Sequence, residues 1–397
     1  GNKEDLDAEL KDAFKNAGAM HILAVSGLHV GIIYLILNTL LNGIHYFRKQ
    51  KKLAVIILLL FLWLYAGISG FSPSVQRAAL MFSLFAIGQG LNRKPSIYNT
   101  IAVSAFLLLV INPSFIYDLS FQLSYSAVIG IVSIYPILNK LGSPSHRLFK
   151  YFYDILLVSI AAQLATLPIT IFYFHQFPNW FLLTNLIAIP LAFIAVGLSA
   201  VVSIFYILFD SDFYFAEFLE VILRALNSVV EFVDQLLFTI IGNIWIEPIS
   251  TLLILLALIL VVIHFHFYNT RLILSALTVL VCVCLIEIYT SSKYAASNEF
   301  TVYSFKNKLA VSLRIGSKAR VYSYDTLSLY ESKIVRNHLQ AMEVEKEDYI
   351  LLNQIKQDDF CLVKEGFAII QFKNQLIGIA EDLNEVDYLS RIGINYL

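Results

Sequence analysis

The chain has 397 residues, 58% hydrophobic and 14% charged, with a mean hydropathy of +0.72 and a formal net charge of −1. Soluble domains carry about 25% charged residues, and the charge here is partitioned: 22 Asp, Glu, Lys and Arg fall in residues 21–292 against 27 in residues 293–397. This excludes a disordered chain, a collagen-like fibre, a disulfide scaffold and a single cytosolic enzyme, and leaves a polytopic α-helical membrane protein followed by a small α+β soluble domain.

Residues 1–20 form an acidic, amphipathic lead-in in which Leu6, Leu10 and Phe14 recur every four residues. No basic segment precedes the first apolar run, so this is no signal peptide, and the start at Gly1 is read as that of an N-terminally truncated chain. A bilayer core needs about 20 mostly apolar residues per helix. Such runs lie near 22–47, 53–69, 74–91, 97–112, 116–139, 151–175, 180–209, 214–242, 249–268 and 271–289, predicting a membrane domain over 21–290 with about 8–10 spans or re-entrant and interfacial helices. Segment 214–242 carries Glu217, Glu220, Arg224, Glu231 and Asp234 at helical spacing and suits an interfacial amphipathic helix. Pro190 is expected to divide 180–209 into two half-helices.

The loop after the first run holds Arg48, Lys49, Lys51 and Lys52, the loop after the third Arg93 and Lys94, and the loop after the fifth Lys140, Arg147 and Lys150, while the alternate loops have no Lys or Arg. The positive-inside rule puts the basic loops in the cytoplasm and the N-terminus outside. Even parity then makes the tail, 293–397, periplasmic. Its segments FTVYSF, LAVSLRIG, ARVYSYD and FAIIQFKNQLIGIA alternate like strands, and 327–348 suits one helix. Cys282, Cys284 and Cys361 imply neither a disulfide framework nor a zinc site.

Polar groups inside membrane segments are costly and are functional candidates by default. The first run opens HILAVSGLHVG, and on one continuous helix His21, Ser26 and His29 share an arc of about 140°. Gly27 and Gly31 make a small-xxx-small pair suited to close helix packing. Arg77 follows Pro73 at the start of the third run. Asp118, Gln122, Ser126 and Gly130 recur every four residues in the fifth. Ser159, Gln163, Thr166 and Thr170 share one face of the sixth, which Pro168 is expected to kink. Structural roles compete with each of these: hydroxyls glue membrane helices, an imidazole or Arg77 can sit at the headgroup level, and Asp118 suits an N-cap. Four facing stripes would line a hydrated path.

The wording of these clusters, HILAVSGLHVG, PSVQRAALM, DLSFQLSYSAVIG and QLATLPI, resembles the successive signatures of the ComEC family, bacterial inner-membrane channels for DNA import in natural transformation, over about residues 17–290. Members of that family look like a periplasmic OB-type domain, this membrane domain and a metallo-β-lactamase-like domain. The resemblance implies single-stranded DNA as cargo, a periplasmic DNA-binding partner, the lipid bilayer as surroundings and a possible homo-oligomer. The residues expected along the DNA path are His21, Ser26, His29, Arg77, Asp118, Gln122, Ser126, Gln163, Thr166 and Thr170.

The tail departs from the family's fullest form. It has one histidine, His338, and no HxHxDH run, and the HxH of His264 and His266 ends an apolar segment. A degenerate metallo-β-lactamase-like remnant is expected, without cofactor and without metal-dependent cleavage, which needs several fixed ligands. The absence of a GxxxxGK[ST] loop assigns any ATP-driven motor to a separate cytoplasmic protein. Two other classes remain: a small-solute transporter built on broken helices, and an intramembrane hydrolase using Ser26 with His29 as base. The topology is testable: cysteines placed at positions 145 and 330 are expected to react with an impermeant thiol reagent from opposite faces, and labelling of both from one face overturns the parity.

Overall fold

The computed structural model describes residues 8–23, 27–91, 96–209, 215–306, 308–342, 344, 346–354, 360–364, 367–372, 375–380 and 395–396. The chain divides into two compact units, Gly1–Leu280 and Val281–Leu397.

The first unit is helical: α1 (Ala8–Asn16), α2 (Met20–Leu23), α3 (Gly27–Gly43), α4 (His45–Lys49), α5 (Lys51–Ile68), α6 (Pro73–Gly90), α7 (Ile97–Ile111), α8 (Leu119–Asn139), α9 (Arg147–Phe174), α10 (Phe181–Phe209), α11 (Phe215–Asp234), α12 (Pro248–Phe267) and α13 (Thr270–Ala296), the last containing the boundary between the units. Six helices are long and apolar enough to cross a membrane, namely α5, α8, α9, α10 over Phe181–Ser203, α12 and α13, and α3 and α7 are shorter apolar helices. Their outward faces are apolar: Leu60, Phe106, Leu252 and Leu274 are 61–66% exposed. Such a surface is stable only against lipid, and the helix is the form that satisfies a chain's backbone there.

Helices α3, α5 and α6 share a core of Val30, Tyr34, Leu58, Leu62, Val75 and Ala79. A Cβ at Gly27 would lie 3.4 Å from Ala78 and one at Gly31 3.2 Å from Phe82, so both glycines face α6. Ile101 and Leu108 of α7 meet Phe121 and Tyr125 of α8. Helices α8 and α9 approach closely at Gly130, where a Cβ would overlap that of Ala165 and lie 2.8 Å from the Ala161 carbonyl oxygen. The amphipathic α1 buries Ala13, Phe14 and Ala17 among Ala188 and Ala192 of α10 and Leu226, Val230 and Val233 of α11. The latter two helices run antiparallel, with Phe205 against Phe215 at the far end. A two-stranded sheet, β1 (Gln176–Pro178) with β2 (Ile240–Gly242), ties the loop after α9 to the loop after α11.

His21 lies in α2 and His29 in α3; residues 24–26 between them, Ser26 included, lie outside the described residues. Helix α10 passes unbroken through Pro190, which corrects the expected division into two half-helices; α9 holds Pro168 within its length. Proline removes one backbone donor, but a long apolar helix held on both sides of the ring keeps its remaining bonds: Ala188 and Ala192, flanking Pro190, are buried in the α1–α11 contact. Segment 214–242 gives α11 over Phe215–Asp234, with Leu226, Val230 and Val233 buried and Glu217, Glu220, Arg224 and Glu231 exposed.

Beyond the end of α13, the described residues of the second unit layer one helix and two sheets. Strands β3 (Asn298–Phe305), β4 (Lys308–Ile315) and β5 (Lys318–Ser323) form an antiparallel meander; α14 (Leu329–Ala341) then crosses back so that β6 (Lys346–Leu351) lies parallel to β5. Strands β7 (Cys361–Lys364), β8 (Phe367–Phe372) and β9 (Gln375–Ala380) are antiparallel, with β10 (Asn395–Tyr396) parallel to β9. Side-chain alternation sends Ala310 under Val335 and Leu339 of α14, while Val311 and Leu313 point to Ala368 and Ile370 of the second sheet. A capping box starts α14: the Ser328 hydroxyl accepts from the Glu331 amide and Glu331 accepts from the Ser328 amide, which holds the Glu331 carboxyl below its usual range.

Arg314, 1% exposed, joins β4 to the end of α13. Its Nη1 donates to the Tyr294 carbonyl at 2.7 Å and its Nη2 to Ser297 Oγ at 2.7 Å, with Glu299 at 3.7 Å. A guanidinium at a helix C-terminus satisfies carbonyls that the helix leaves open.

Two predictions follow from this packing. Gly130→Ala is expected to force α8 from α9 and lower the thermal midpoint by several degrees, on the order of 1–3 kcal/mol of overpacking. Ala165→Gly in the same chain should restore part of the loss, and unchanged unfolding in the single variant would show that the helices do not meet there. In the tail, partial burial and the Glu347 carboxylate push the Tyr349 hydroxyl up to about 12. An unfolded tyrosine ionises near 10, so between these values only the unfolded chain sheds this proton and the contribution to stability falls as pH rises. The tyrosinate absorbance difference between wild type and Tyr349→Phe is expected to titrate near pH 12 rather than near 10.

Candidate functional site

Polar groups of α8 converge on Arg77 of α6. Helix α6 starts with Pro73 at its first position, where proline's fixed φ and missing N–H cost nothing. Arg77 therefore lies on the second turn, on the buried face formed with Val75, Ala78 and Ala79. Its side chain is 3% exposed and reaches across to α8. Nε donates to Ser124 Oγ at 2.9 Å and Nη2 to Ser120 Oγ at 2.8 Å. Nη1 stands 4.0 Å from Asp118, a longer approach than a hydrogen bond.

A 3-10 turn at Pro113–Tyr117 leads into α8 and sets Asp118 as its N-cap, accepting from the Phe121 amide at 2.7 Å. The carboxylate, 38% exposed, is thus shared between the helix end and the guanidinium. Burying a guanidinium is costly unless hydroxyls and a counter-charge surround it. Here two serines one turn apart supply the hydroxyls and Asp118 the charge at a distance. The cation is held, but without a tight carboxylate pair.

The other expected residues go elsewhere. Gln122 Nε2 donates back to the Ile116 carbonyl at 2.9 Å. Ser126 donates to the Ala165 carbonyl of α9 at 2.6 Å, one turn before Gly130. Thr166 and Thr170 donate to the carbonyls of Ala162 and Thr166, four residues back along α9. Gln163 is half-buried on the same helix. Ser159 meets Asn185 of α10 at 3.4 Å, and Asn185 Oδ1 is a buried acceptor with no partner among the described residues. His21 is exposed on α2 and His29 half-buried on α3. Arg77 and Asp118 are therefore brought together; Gln122, Ser126, Gln163, Thr166 and Thr170 are distributed along α8 and α9, and His21 and His29 lie in α2 and α3. Sequence reading missed Ser120 and Ser124. The signal was present as a second four-residue spacing in DLSFQLSYS, offset by two from the stripe that begins at Asp118. It also missed Tyr125, whose hydroxyl donates to Ser104 of α7 at 3.1 Å.

In the tail, Tyr303 is hydrogen-bonded to His338 Nδ1 at 2.7 Å and lies 3.2 Å from Ser312. His264 Nδ1 bonds the Asn269 carbonyl at 2.8 Å, and His266 packs on Phe267. Among the described residues no three His, Cys, Asp or Glu side chains gather as a set of metal ligands.

The model of a family described as competence protein matches residues 1–268, the stretch that carries α1 to α12 and the whole Arg77 cluster. ComE operon protein 3 of Bacillus subtilis (strain 168) is 28% identical over 232 residues, 58% of this chain and 29% of that protein. An uncharacterized protein of Aquifex aeolicus (strain VF5) is 30% identical over 192 residues, 48% of this chain and 42% of that one. The chain thus spans less than half the length of either relative. No solved structure matches. With two thirds of its residues under the family model, including every helix around Arg77, the chain belongs to the competence protein family.

Proposed function

We propose that the membrane unit forms the path by which single-stranded DNA crosses the bacterial inner membrane during natural transformation. The observation that carries this reading is a buried guanidinium, Arg77, inside the family-matched helices and held by hydroxyls rather than by a close carboxylate. Sequence-blind nucleic-acid routes need cationic and polar groups that replace phosphate hydration. A guanidinium offers a fork that fits phosphate in two-point contact. Ser120 and Ser124 hold that fork while no DNA is present, and Asp118 is far enough away to be displaced. Gln122, Gln163, Ser126, Thr166, Thr170 and the His21, Ser26 and His29 segment are assigned to the same route, with Arg77 in its outer vestibule. The tail is periplasmic in this reading. DNA is delivered by a periplasmic binding protein and drawn in by a separate ATP-driven motor, with homo-oligomerisation as the way to widen the route. The chain acts as a conduit and not as an enzyme. The transporter alternative loses its main support with the unbroken α10, since such sites are built on discontinuous helices.

Arg77→Ala is expected to reduce transformation and uptake of labelled single-stranded DNA to background, with the protein inserted at normal level. Arg77→Lys keeps the charge and loses the fork. It is expected to retain on the order of a tenth of activity, since a charge-assisted hydrogen bond is worth about 1.5–3 kcal/mol. Import at the wild-type rate by Arg77→Ala makes Arg77 a structural pin between α6 and α8 and removes the vestibule assignment.

A further inference from the structure

Between Asp12 and Asp118 the sequence has no Asp or Glu at all, while it holds Lys15, Arg48, Lys49, Lys51, Lys52, Arg77, Arg93 and Lys94. Helices α3 to α7 therefore carry cations and no carboxylate, and four of the cations cluster at the α4–α5 junction. A cavity of about 180 Å³ opens beside that junction, between the last turns of α3, α4, the first turns of α5 and the last turn of α6. Its walls divide by chemistry. Leu41, Phe47, Val55, Leu58 and Ala86 make an apolar floor, and Tyr34, Asn38, Asn42, Gln89 and Lys51 a polar rim. Asn42 Nδ2 donates to Asn38 Oδ1 at 3.0 Å and the Tyr34 hydroxyl faces Gln89 Oε1 at 3.5 Å, so the rim is organised by its own contacts.

The cavity's depth follows from α5. This helix has 18 residues and the composition of a span, so it is about 27 Å long and its first turn, with Lys51 and Lys52, lies at a headgroup boundary. On the opposite face of α5, turned away from the cavity, Ile56 and Leu60 are 62% and 66% exposed, as a lipid-facing side of a span is. An apolar pocket with a cationic, amide-rich rim at that depth matches an amphiphile with an anionic head. Arg48, next in sequence to the lining residue Phe47, has His45 as a side-chain neighbour at 3.3 Å.

We propose that this cavity is a binding site for an anionic phospholipid of the cytoplasmic leaflet. The headgroup phosphate meets Lys51 and the Asn38, Asn42 and Gln89 amides, and the acyl chains start on the apolar floor of Leu41, Phe47, Val55 and Leu58 and continue into the surrounding lipid. Basic pockets between membrane helices on the cytoplasmic side recognise such headgroups, and each Lys or Arg close to an anionic leaflet adds to the attraction. The site rests on the orientation given under the proposed function and not on DNA conduction.

The test uses the full chain in mild detergent, with native mass spectrometry of lipid retention. Phosphatidylglycerol is expected to be retained about tenfold over phosphatidylcholine of the same chains. Lys51→Gln, which lines the cavity, is expected to reduce that preference roughly fivefold. Lys52→Gln, which removes the same charge from beside the cavity, should leave it unchanged. Equal retention of the two lipids, or equal loss in both variants, overturns the site. Inorganic phosphate displacing the lipid as well as a soluble glycerophosphate headgroup does would assign a free anion instead, and displacement by an oligothymidine would assign the cavity to the nucleic-acid route; either overturns the lipid assignment. Thiol labelling at position 145 reports the orientation separately, so a failure of sidedness is distinguishable from a failure of binding.

Discussion

Inside a bilayer a polar side chain has no water to fall back on, and the arrangement of the membrane unit follows from where each such group finds its partner. Most hydroxyls bond to a carbonyl one turn back in their own helix, as Ser83 does to Ala79, Thr184 to Trp180, Ser275 to Arg271 and Thr278 to Leu274. These bonds satisfy the hydroxyl and join nothing to anything else. Helix α8 behaves differently. Ser120 and Ser124 reach α6, Tyr125 and Ser133 reach α7, and Ser126 and Tyr135 reach α9. It is the element through which its neighbours are polar-bonded, and the buried cation of α6 depends on it. In lipid, where hydrophobic association between helices vanishes, such contacts and close backbone approach decide which helices pair.

How far this could be read beforehand differed by level. Apolar runs located nearly every membrane helix, because a span needs length and composition only, and strand alternation located β3, β4, β5, β8 and β9. The stripe at Asp118, Gln122 and Ser126 was visible in the sequence, but which helix each residue meets was not. Arg77 bonds the stripe offset by two, at Ser120 and Ser124, because the face of α8 toward α6 is set by the packing of α7 and α9 around it. Periodicity describes one helix and is silent on its neighbours. Pro190 shows the same limit from the other side. Its local preference argues for a break, and the burial of Ala188 and Ala192 beside it holds the helix through.

The tail is simpler. Two sheets and one helix share conventional apolar cores, and the Ser328–Glu331 capping box fixes where α14 begins. The family match ends at residue 268, so this unit lies beyond the part of the chain that similarity assigns. Its histidine is bonded to Tyr303, within a contact under α14.

The seat of Arg314 has a mechanical meaning. Its guanidinium clasps the Tyr294 carbonyl and the Ser297 hydroxyl, and β3 starts at Asn298, one residue after α13 ends. There is no slack at that junction for a swivel. The sheet is keyed to the end of the helix as a blade is to its shaft, so any tilt or axial turn of that helical segment is delivered to the strands undiminished.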